Sequence, residues 1–588
     1  MPQENGGDEK SEGWQICRRS LHPLFALVAG VCLLALIGWL GDVPTWLHWC
    51  TTLTGMIFAL ERGWSFWTEH PPRQERRRLT LRAVLAVLVF GVSAVLFFQP
   101  LASSGKWSFA AHFFVLIAAL ISGLTLMIAH QKRFTAQAFH PGWVLILSFL
   151  GMILIGTFLL KMPRCTVPGQ VCSWMDALFT STSAICVTGL TVQNPATFFT
   201  TTGQTVILLL IQVGGLGIMT LTFFAAVILF EGLSLHDRLL LGKMIQENRL
   251  ARVGQTLKFI VIMTFSIEAI GAVVLFCGMD GIPDFSERAF HSVFHSISAF
   301  CNAGFSTLPD NLASGVILGN WVWQVMIMML IVVGGLGALV NEDLTLWSIA
   351  KIRRRITKEG PIPRLRVHTR LVLVVSALLI VLGAGMIYGS EFILGQGPQN
   401  GGEILTSFFH SVTARTAGFN SVPMSQLGLL TAQFLMILMV IGGSPGGTAG
   451  GLRTTVAAVG LAHLWTQLRM SRRGMVLFNR TISAEVGSQA LGLIFLTGVW
   501  LAVNFIVLQM LEAGSGISET HLLFELISAF ATVGLSLDLT PTLSDGAKTL
   551  LIVNMFVGRI GLLTVMATLI KQDSRPASGK PEEKILLT

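Results

Sequence analysis

The chain has 588 residues, of which 52% are hydrophobic and only 12% are charged, and its mean hydropathy is +0.69. Soluble domains carry about 25% charged residues, so this composition excludes an ordinary soluble protein and predicts a polytopic membrane protein. A net charge of +9 would favour nucleic acid as the partner of a soluble chain. Here the basic residues cluster between apolar runs, as in a membrane topology signal, and we expect no nucleic-acid partner.

The eight cysteines form neither a CxxC pair nor a zinc-binding spacing. Cys165 and Cys172 share one loop that we place outside the membrane. The sequence leaves open whether these two form a disulfide.

Apolar runs at residues 21–40, 45–61, 81–100 and 109–129 predict four N-terminal spans. The first run lacks a small-residue cleavage site, so it predicts a retained span and not a signal peptide. If the short second run also crosses, the arginines of 73–82 fall on the same side as Arg18 and Arg19, as the positive-inside bias requires. We therefore predict a cytosolic tail at 1–20 and a four-helix extension at 21–142.

Four similar units follow, each with an apolar span, a short re-entrant segment and a second apolar span. Basic residues concentrate between the units, so each unit begins and ends inside and its re-entrant segment enters from outside. This predicts a multi-pass protein of the cell membrane with both termini cytoplasmic. The predicted segments are pore repeat 1 at 143–232, repeat 2 at 255–345, repeat 3 at 367–468, repeat 4 at 484–571 and a cytosolic tail at 572–588.

The re-entrant segments open with patterns typical of short helices. Ser173 with Asp176, and Asp284 with Glu287, fit N-capping patterns. Each short helix is expected to end before a glycine described next. If the four units surround one axis, the negative end of each helix dipole would point at that axis, where it favours a cation.

One glycine followed by Leu or Phe recurs in each repeat. These are Gly189, Gly304, Gly418 and Gly534, at intervals of 115, 114 and 116 residues. Non-helical backbone at membrane depth is tolerated only inside protein or along a watery path, and four such segments around one axis present a ring of carbonyl oxygens. A single glycine would indicate only a turn, whereas four in register predict a selectivity filter. The filter residues are Cys186, Val187, Thr188, Gly189, Cys301, Asn302, Ala303, Gly304, Arg415, Thr416, Ala417, Gly418, Ala531, Thr532, Val533 and Gly534.

The predicted fold is an all-α polytopic membrane protein, with four helix–pore-loop–helix repeats around a pseudo-four-fold pore and about four extra N-terminal helices. With these residues the chain resembles the ion-conducting subunit of the Trk/Ktr/HKT potassium-transporter superfamily, and is most similar to its TrkH and KtrB branch. The resemblance covers about residues 143–570. The family commonly has two or no extra N-terminal spans, so the four here are a departure.

The resemblance implies that glycine rather than serine at Gly189 goes with potassium selectivity and not with sodium permeation. It also implies a homodimer and a cytosolic RCK-type nucleotide-binding regulatory subunit. No Rossmann fingerprint occurs in this chain, so such regulation would act in trans. The implied potassium ligands are Thr188, Gly189, Ala303, Gly304, Ala417, Gly418, Val533 and Gly534.

Glycine-rich segments also recur in the last span of each repeat, and the third is the longest. It follows about eleven apolar residues, roughly 16 Å of helix, so the helix is predicted to break in mid-membrane. A phosphate-binding loop is the alternative, but no Gly-Lys-Ser/Thr follows. The resemblance implies an intramembrane gating loop made of Gly442, Gly443, Ser444, Pro445, Gly446, Gly447, Thr448, Ala449, Gly450 and Gly451.

Arg559 occupies the matching position of repeat 4. An arginine in mid-membrane is costly, which by itself suggests a function. The resemblance implies that Arg559 projects into the pore below the filter and acts as an electrostatic barrier.

Two further features leave alternatives open. His291 and His295 lie four residues apart on a predicted pore helix and could hold a metal, but His410 matches His295 in the third repeat, which favours a packing role. Glu268 lies in mid-span, where an acid must be paired or protonated, and it could stabilise a filter segment or take part in proton coupling.

We therefore predict a potassium uptake channel or symporter, not an enzyme, with K+ as the transported ion, membrane lipid around it and no covalently bound cofactor. The sequence leaves sodium or proton coupling open. A secondary transporter with a broken-helix site is the first alternative, but it would favour two-fold, often inverted, repeats. A membrane-embedded metal-dependent enzyme using His291 and His295 is the second, and it lacks clustered carboxylates.

Overall fold

The computed structural model describes residues 50–53, 56, 141–231, 253–279, 281–314, 320–358, 364–393, 403–469 and 475–569. The predicted tails at 1–20 and 572–588, and all but a few residues of the predicted extension at 21–142, lie outside these ranges.

The predicted all-α membrane fold is confirmed. One antiparallel hairpin is the exception among the described residues, and it pairs β1, Met475–Leu477, with β2, Arg480–Ile482. The α-helices in chain order are α1 Pro141–Leu160, α2 Trp174–Ile185, α3 Pro195–Phe198, α4 Thr201–Glu231, α5 Val253–Cys277, α6 Phe285–Phe300, α7 Trp321–Leu336, α8 Ala338–Thr357, α9 Val367–Tyr388, α10 Glu403–Thr413, α11 Leu429–Val440, α12 Thr454–Leu468, α13 Ala484–Leu511, α14 Glu519–Phe530, α15 Asp545–Ile560 and α16 Leu562–Leu569.

Several of these helices are long and apolar enough to cross a bilayer, for which about 20 residues are needed. They are Lys258–Cys277 in α5, Val367–Ile393, which is α9 with a π-helical turn, and Ala484–Leu511, which is α13. Large apolar side chains on them, such as Ile270, Leu378 and Phe495, point outward, as expected where the solvent is lipid. The chain is therefore membrane-embedded.

The four short helices α2, α6, α10 and α14 lead into the predicted filter segments. The N-caps of α2 and α6 follow the sequence patterns, since the Asp176 amide donates to Ser173 Oγ at 2.9 Å and the Glu287 amide to Asp284 Oδ2 at 2.9 Å. Each of these helices also carries a phenylalanine that is completely buried: Phe179, Phe294, Phe409 and Phe524.

The last helix of a repeat is broken in three of the repeats. In repeat 3, α11 and α12 are separated by an extended segment, as predicted. Two further breaks were not predicted. One lies at Gly337, with φ 87°, where α7 and α8 meet at a bend of 105°, and the other at Gly561, with φ 93°. Positive φ is open to glycine without steric penalty, which explains why both breaks fall on glycine.

The break at Gly337 changes the course that the sequence predicts for the chain around it. The second apolar span of repeat 2 is not one straight helix. Residues 346–357, which the sequence analysis places in a loop between repeats, are helical and belong to α8.

The described chain divides into two compact units. One contains residues 151–181 and 193–210, in which Ser181 Oγ donates to the Ile153 carbonyl at 2.8 Å and Gln204 Nε2 to the Pro195 carbonyl at 3.1 Å. The other contains the described parts of 140–150, 182–192 and 211–588. All four predicted filter segments, the predicted gating loop and Arg559 belong to this second unit.

Candidate ion-conducting site

The four predicted filter segments share one unusual backbone pattern. In each, the glycine has positive φ, and so does the non-glycine residue two positions before it. Alternation between left- and right-handed conformations turns successive carbonyl groups toward the same side of a strand, which a helix or a regular β-strand does not do. The φ values are 54° and 95° for Val187 and Gly189, 60° and 68° for Asn302 and Gly304, 72° and 77° for Thr416 and Gly418, and 51° and 91° for Thr532 and Gly534.

The glycines are arranged in a closed ring. A methyl group added to Gly304 would lie 2.7 Å from the carbonyl oxygen of Ala417 in the next repeat. The same addition to each of the other glycines would collide with the corresponding carbonyl oxygen of its neighbour. The pairs are Gly189 with Ala303, Gly418 with Val533, and Gly534 with Thr188.

These contacts run from repeat 1 to repeat 2, from 2 to 3, from 3 to 4 and from 4 back to 1. The carbonyl oxygens of Thr188, Ala303, Ala417 and Val533 therefore each lie against the glycine of a neighbouring repeat. All eight residues that the resemblance implies as potassium ligands belong to this ring.

Hydroxyl groups at the ends of the short helices hold these segments. Ser183 Oγ accepts from the Gly189 amide at 3.0 Å, and Ser528 Oγ accepts from the Gly534 amide at 3.1 Å. Ser298 Oγ donates to the Phe305 carbonyl at 2.8 Å, and Thr413 Oγ1 to the Phe419 carbonyl at 2.7 Å. We did not single out these four residues from the sequence, although they recur at a constant interval of 115 residues.

The third segment is one residue shorter than the others. Gly418 follows Thr413 by five positions, whereas Gly189 follows Ser183 by six. Accordingly, the Ala417 amide donates to the Thr413 carbonyl, while the Thr188 amide donates to the Ser183 carbonyl. Arg415 also differs from the other predicted filter residues, because its guanidinium turns away toward α9 and its Nη2 donates to Ser376 Oγ at 3.1 Å.

A second set of side chains braces the segments from the short helices. His295 Nε2 lies 2.9 Å from Ser306 Oγ, and His410 Nε2 lies 3.4 Å from Ser421 Oγ. In the fourth repeat Glu525 takes this place and accepts from Ser536 Oγ and, at 2.9 Å, from Thr540 Oγ1. The other ring nitrogen of His295 lies 2.7 Å from the His291 carbonyl, so both nitrogens contact protein atoms. This geometry favours the packing role over a metal pair.

Beneath the ring, glycines of the last helices pack against the ends of the short helices. A methyl group added to Gly214, Gly334 or Gly558 would collide with the last carbonyl oxygen of the preceding short helix. These carbonyls belong to Ile185, Phe300 and Phe530 respectively. In repeat 3 the corresponding Gly442 instead faces the Gly450 carbonyl, so the predicted gating loop folds back on itself there.

The predicted gating loop is attached to the broken helix of repeat 2. The bend at Gly337 leaves carbonyl groups at the end of α7 without partners inside that helix. The Ser444 amide donates to the Gly335 carbonyl at 3.1 Å, and Ser444 Oγ donates to the Leu336 carbonyl. The first amide of α8, that of Ala338, donates to the Gly446 carbonyl at 3.1 Å. Loop and helix end therefore satisfy each other's backbone groups.

Arg559 is almost completely buried, with 1% of its surface exposed, and contacts the same loop. Its guanidinium donates to the Thr448 carbonyl through Nη1 and to the Gly214 carbonyl at 3.2 Å through Nη2. The residues predicted for the gate are thus brought together, and Arg559 joins repeat 4 to the loop of repeat 3 and to the last helix of repeat 1.

Glu268 lies behind the second segment. Both of its carboxylate oxygens accept from Gln212 Nε2 at 3.2 Å, and Cys301 Sγ lies 3.9 Å from Oε1. The backbone carbonyl of Glu268 also accepts from Ser296 Oγ at 2.6 Å. Of the two roles that the sequence left open, this placement favours support of the predicted filter.

In the loop between α1 and α2, Cys165 and Cys172 are free thiols and are 2% and 3% exposed. Burial raises the pKa of each thiol to about 11. Among the described residues no group of three or more His, Cys, Asp or Glu side chains is placed to hold a metal ion.

A closed ring of glycine–carbonyl contacts inside a membrane-embedded, largely helical chain is typical of pore-forming transport proteins. Comparison with known proteins gives the family. Residues 106–578 match the model of the TrkH family, described as cation transport protein. The chain belongs to this family.

Relatives with assigned names are similar along most of their length. The chain is 35% identical to the Ktr system potassium uptake protein B of Vibrio alginolyticus over 463 residues, covering 77% of this chain and 96% of that protein. It is 33% identical to the potassium/sodium uptake protein NtpJ of Enterococcus hirae over 470 residues, covering 78% and 99%. The crystal structure of the potassium transporter TrkH from Vibrio parahaemolyticus has the same fold, with a TM-score of 0.59 at 17% identity, over 88% of this chain and 98% of that one.

Proposed function

We propose that this chain is a potassium uptake pore, in which the ring around Gly189, Gly304, Gly418 and Gly534 is the selectivity filter. The observation that carries the proposal is the closed order of glycine-to-carbonyl contacts around one axis. Carbonyl oxygens replace the hydration shell of an alkali cation, and only residues without a Cβ leave room for them to approach one another.

The electrostatics of the site favour a cation. The helices α2, α6, α10 and α14 all end immediately before the ring, so four negative dipole ends lie beside it. The choice of potassium rests on the glycine at Gly189 and on two relatives whose names specify uptake of potassium or of potassium and sodium.

The proposed gate is the loop Gly442–Gly451 together with Arg559. The loop lies beneath the ring and is bonded to the end of α7, and the guanidinium of Arg559 bonds to the Thr448 carbonyl of the loop. We expect conduction to require that these contacts separate. A cytosolic RCK-type regulatory subunit acting on a homodimer is the source of that movement in this proposal, and both termini are placed in the cytoplasm.

Uptake of rubidium by vesicles that hold the purified chain tests the function. We expect uptake that potassium suppresses at lower concentration than sodium does, measured with and without an added regulatory subunit. Imposed sodium and proton gradients distinguish a passive channel from a symporter. Absence of uptake under all these conditions by a folded chain would contradict the proposal and favour the alternative of a transporter for another solute.

A further inference from the structure

Helix α8 carries an exposed face that the proposed pore does not use. Its first turns are fixed to the protein: Val340 is completely buried, and Asp343 accepts from Thr369 Oγ1 at 2.7 Å and pairs with Arg366 Nε at 3.1 Å. From Leu346 onward the helix projects from this anchor, and residues 351–358 are all exposed.

The exposed part of α8 is amphipathic. At about 100° per residue, four large apolar side chains fall within an arc of about 120°. They are Leu346, Ile349, Ile352 and Ile356, which are between 53% and 77% exposed. Lys351, Arg354 and Arg355 lie on the other side of the helix, whereas Arg353 falls inside the apolar arc, between Ile349 and Leu346.

The charge of this segment has one sign. Residues 344–358 include five basic side chains and no acidic one. None of the four basic residues Lys351, Arg353, Arg354 and Arg355 has an acidic partner within salt-bridge distance among the described residues, and Lys351 Nζ instead lies 4.5 Å from the Trp347 ring. Basic residues on one face and isoleucines on the other are typical of helices that lie in the plane of an anionic membrane surface.

The direction of α8 fits the same partner. Helix α8 begins one residue after α7 ends, and the bend of 105° at Gly337 turns it away from the axis of α7. A helix at this angle to α7 runs more nearly along the membrane than across it.

We propose that the exposed face of α8 binds the anionic phospholipid leaflet, with Ile349, Ile352 and Ile356 inserted below the headgroups and the arginines of 353–355 on the phosphates. The assignment of this leaflet to the cytosolic side of the membrane rests on the topology given under the proposed function. The binding itself follows from the bend, the apolar arc and the charge of α8.

Spin labels on the full-length chain in vesicles test the insertion. Ile352→Cys and Ile356→Cys place a label on the apolar arc, and Lys351→Cys and Arg354→Cys place one on the opposite side. In vesicles of phosphatidylcholine with one quarter phosphatidylglycerol, we expect the first pair to collide with oxygen and the second pair with a nickel chelate in the water. The unsubstituted chain, labelled in parallel, gives the background from native cysteines such as the exposed Cys277.

Two results would overturn the proposal. Equal access of the chelate to all four labels would place α8 in water. Shielding of the Ile352 and Ile356 labels from both collision partners would mean that a second copy or another protein segment covers the arc.

Charge neutralisation tests the recognition of anionic lipid. Arg353→Gln/Arg354→Gln/Arg355→Gln should reduce the insertion measured at the Ile356 label to its level in pure phosphatidylcholine. The matched control is Arg364→Gln/Arg469→Gln/Arg480→Gln, which removes the same number of exposed charges elsewhere and should leave insertion unchanged. Equal insertion of both triple variants in anionic vesicles would rule out headgroup recognition. The depth of the labels can be measured whether or not the chain transports ions. Rubidium uptake by the same vesicles tests the proposed function separately, so a failure of that function is distinguished from a failure of this inference.

Discussion

The guanidinium of Arg559 donates to the backbone carbonyl of Thr448, which lies 111 residues earlier in the chain. Arg559 is the only charged side chain among the residues predicted for the gate. This bond connects it with the loop Gly442–Gly451, which is predicted for the same gate. The second bond of Arg559, to the Gly214 carbonyl, holds the charge beneath the ring of glycines.

Replacement of Arg559 by alanine should raise cation flux and leave ion preference unchanged. A fixed positive charge repels a cation by about 4 kcal/mol at about 4 Å in surroundings of effective dielectric constant of about 20, so its removal lowers the barrier below the filter. Rubidium uptake at a series of potassium and sodium concentrations gives both quantities. Arg559→Lys, which keeps the charge, should behave much more like the unsubstituted chain. A change in preference would place Arg559 at the filter and contradict the assignment.

Deletion of Gly443–Gly450 should also raise flux. The deletion removes Ser444 and Thr448, and with them the contacts of the loop with α7 and Arg559. Ser444→Ala removes only the hydroxyl bonds to the end of α7 and should have a smaller effect in the same direction. Initial uptake velocity is measured together with monodispersity of the purified protein. Unchanged or abolished uptake by a monodisperse deletion variant would end the gating assignment.

Gly189→Ser should reduce the preference for potassium and admit sodium. Serine at positive φ costs about 1 to 2 kcal/mol, and its Cβ would collide with the Ala303 carbonyl, so one quarter of the ring must move. Sodium keeps more of its water and tolerates an incomplete ring better than potassium does. Competition of the two ions against rubidium uptake measures the change.

The control for Gly189 is Gly498→Ser. Gly498 lies in α13, has no atom within 4 Å of an added methyl group, and should tolerate serine without altered selectivity. If folded, active Gly189→Ser kept the original ion preference, Gly189 would be only a turn residue, and the filter would have to be sought elsewhere.

Substitution of Glu268 should affect the filter through Cys301. Glu268→Ala leaves the half-buried Gln212 amide without its acceptor, at a cost of about 1 kcal/mol, and removes the group behind the second segment. We expect a lower melting temperature and a weaker preference for potassium. Glu268→Gln retains one acceptor and the shape, and should restore most of both. If the glutamine variant lost coupling to a proton gradient while keeping its preference for potassium, proton transfer would be the role of this residue.

Cys165 and Cys172 should resist alkylation at neutral pH. The thiolate is the reacting form, and burial raises the pKa of both thiols to about 11, so the fraction of thiolate grows only as the pH rises toward that value. Mass spectrometry after maleimide treatment at pH 7 and pH 9 measures this, with the exposed Cys277 as the reactive control. Rapid labelling of both thiols at pH 7 would mean that the loop opens. An unlabelled protein whose mass is lower by two hydrogen atoms would indicate a disulfide between them.

The sequence alone determined the class of protein and the number of pore segments. Composition and the length of apolar runs are linear properties, and they suffice to predict a membrane protein. The constant spacing of Gly189, Gly304, Gly418 and Gly534 is also linear. Local capping rules act within one turn, so the starts of α2 and α6 were predictable from Ser173 and Asp284.

The tertiary structure decided which groups meet. The sequence contains no signal that pairs Arg559 with Thr448, or Glu268 with Cys301, because such contacts depend on how helices far apart in the chain pack together. The same holds for Arg415, which the motif places in a filter segment and packing turns toward Ser376. The bend at Gly337 is the clearest case. Glycine permits positive φ at many positions, but it is adopted here because the loop of repeat 3 supplies partners for the backbone groups that the bend exposes.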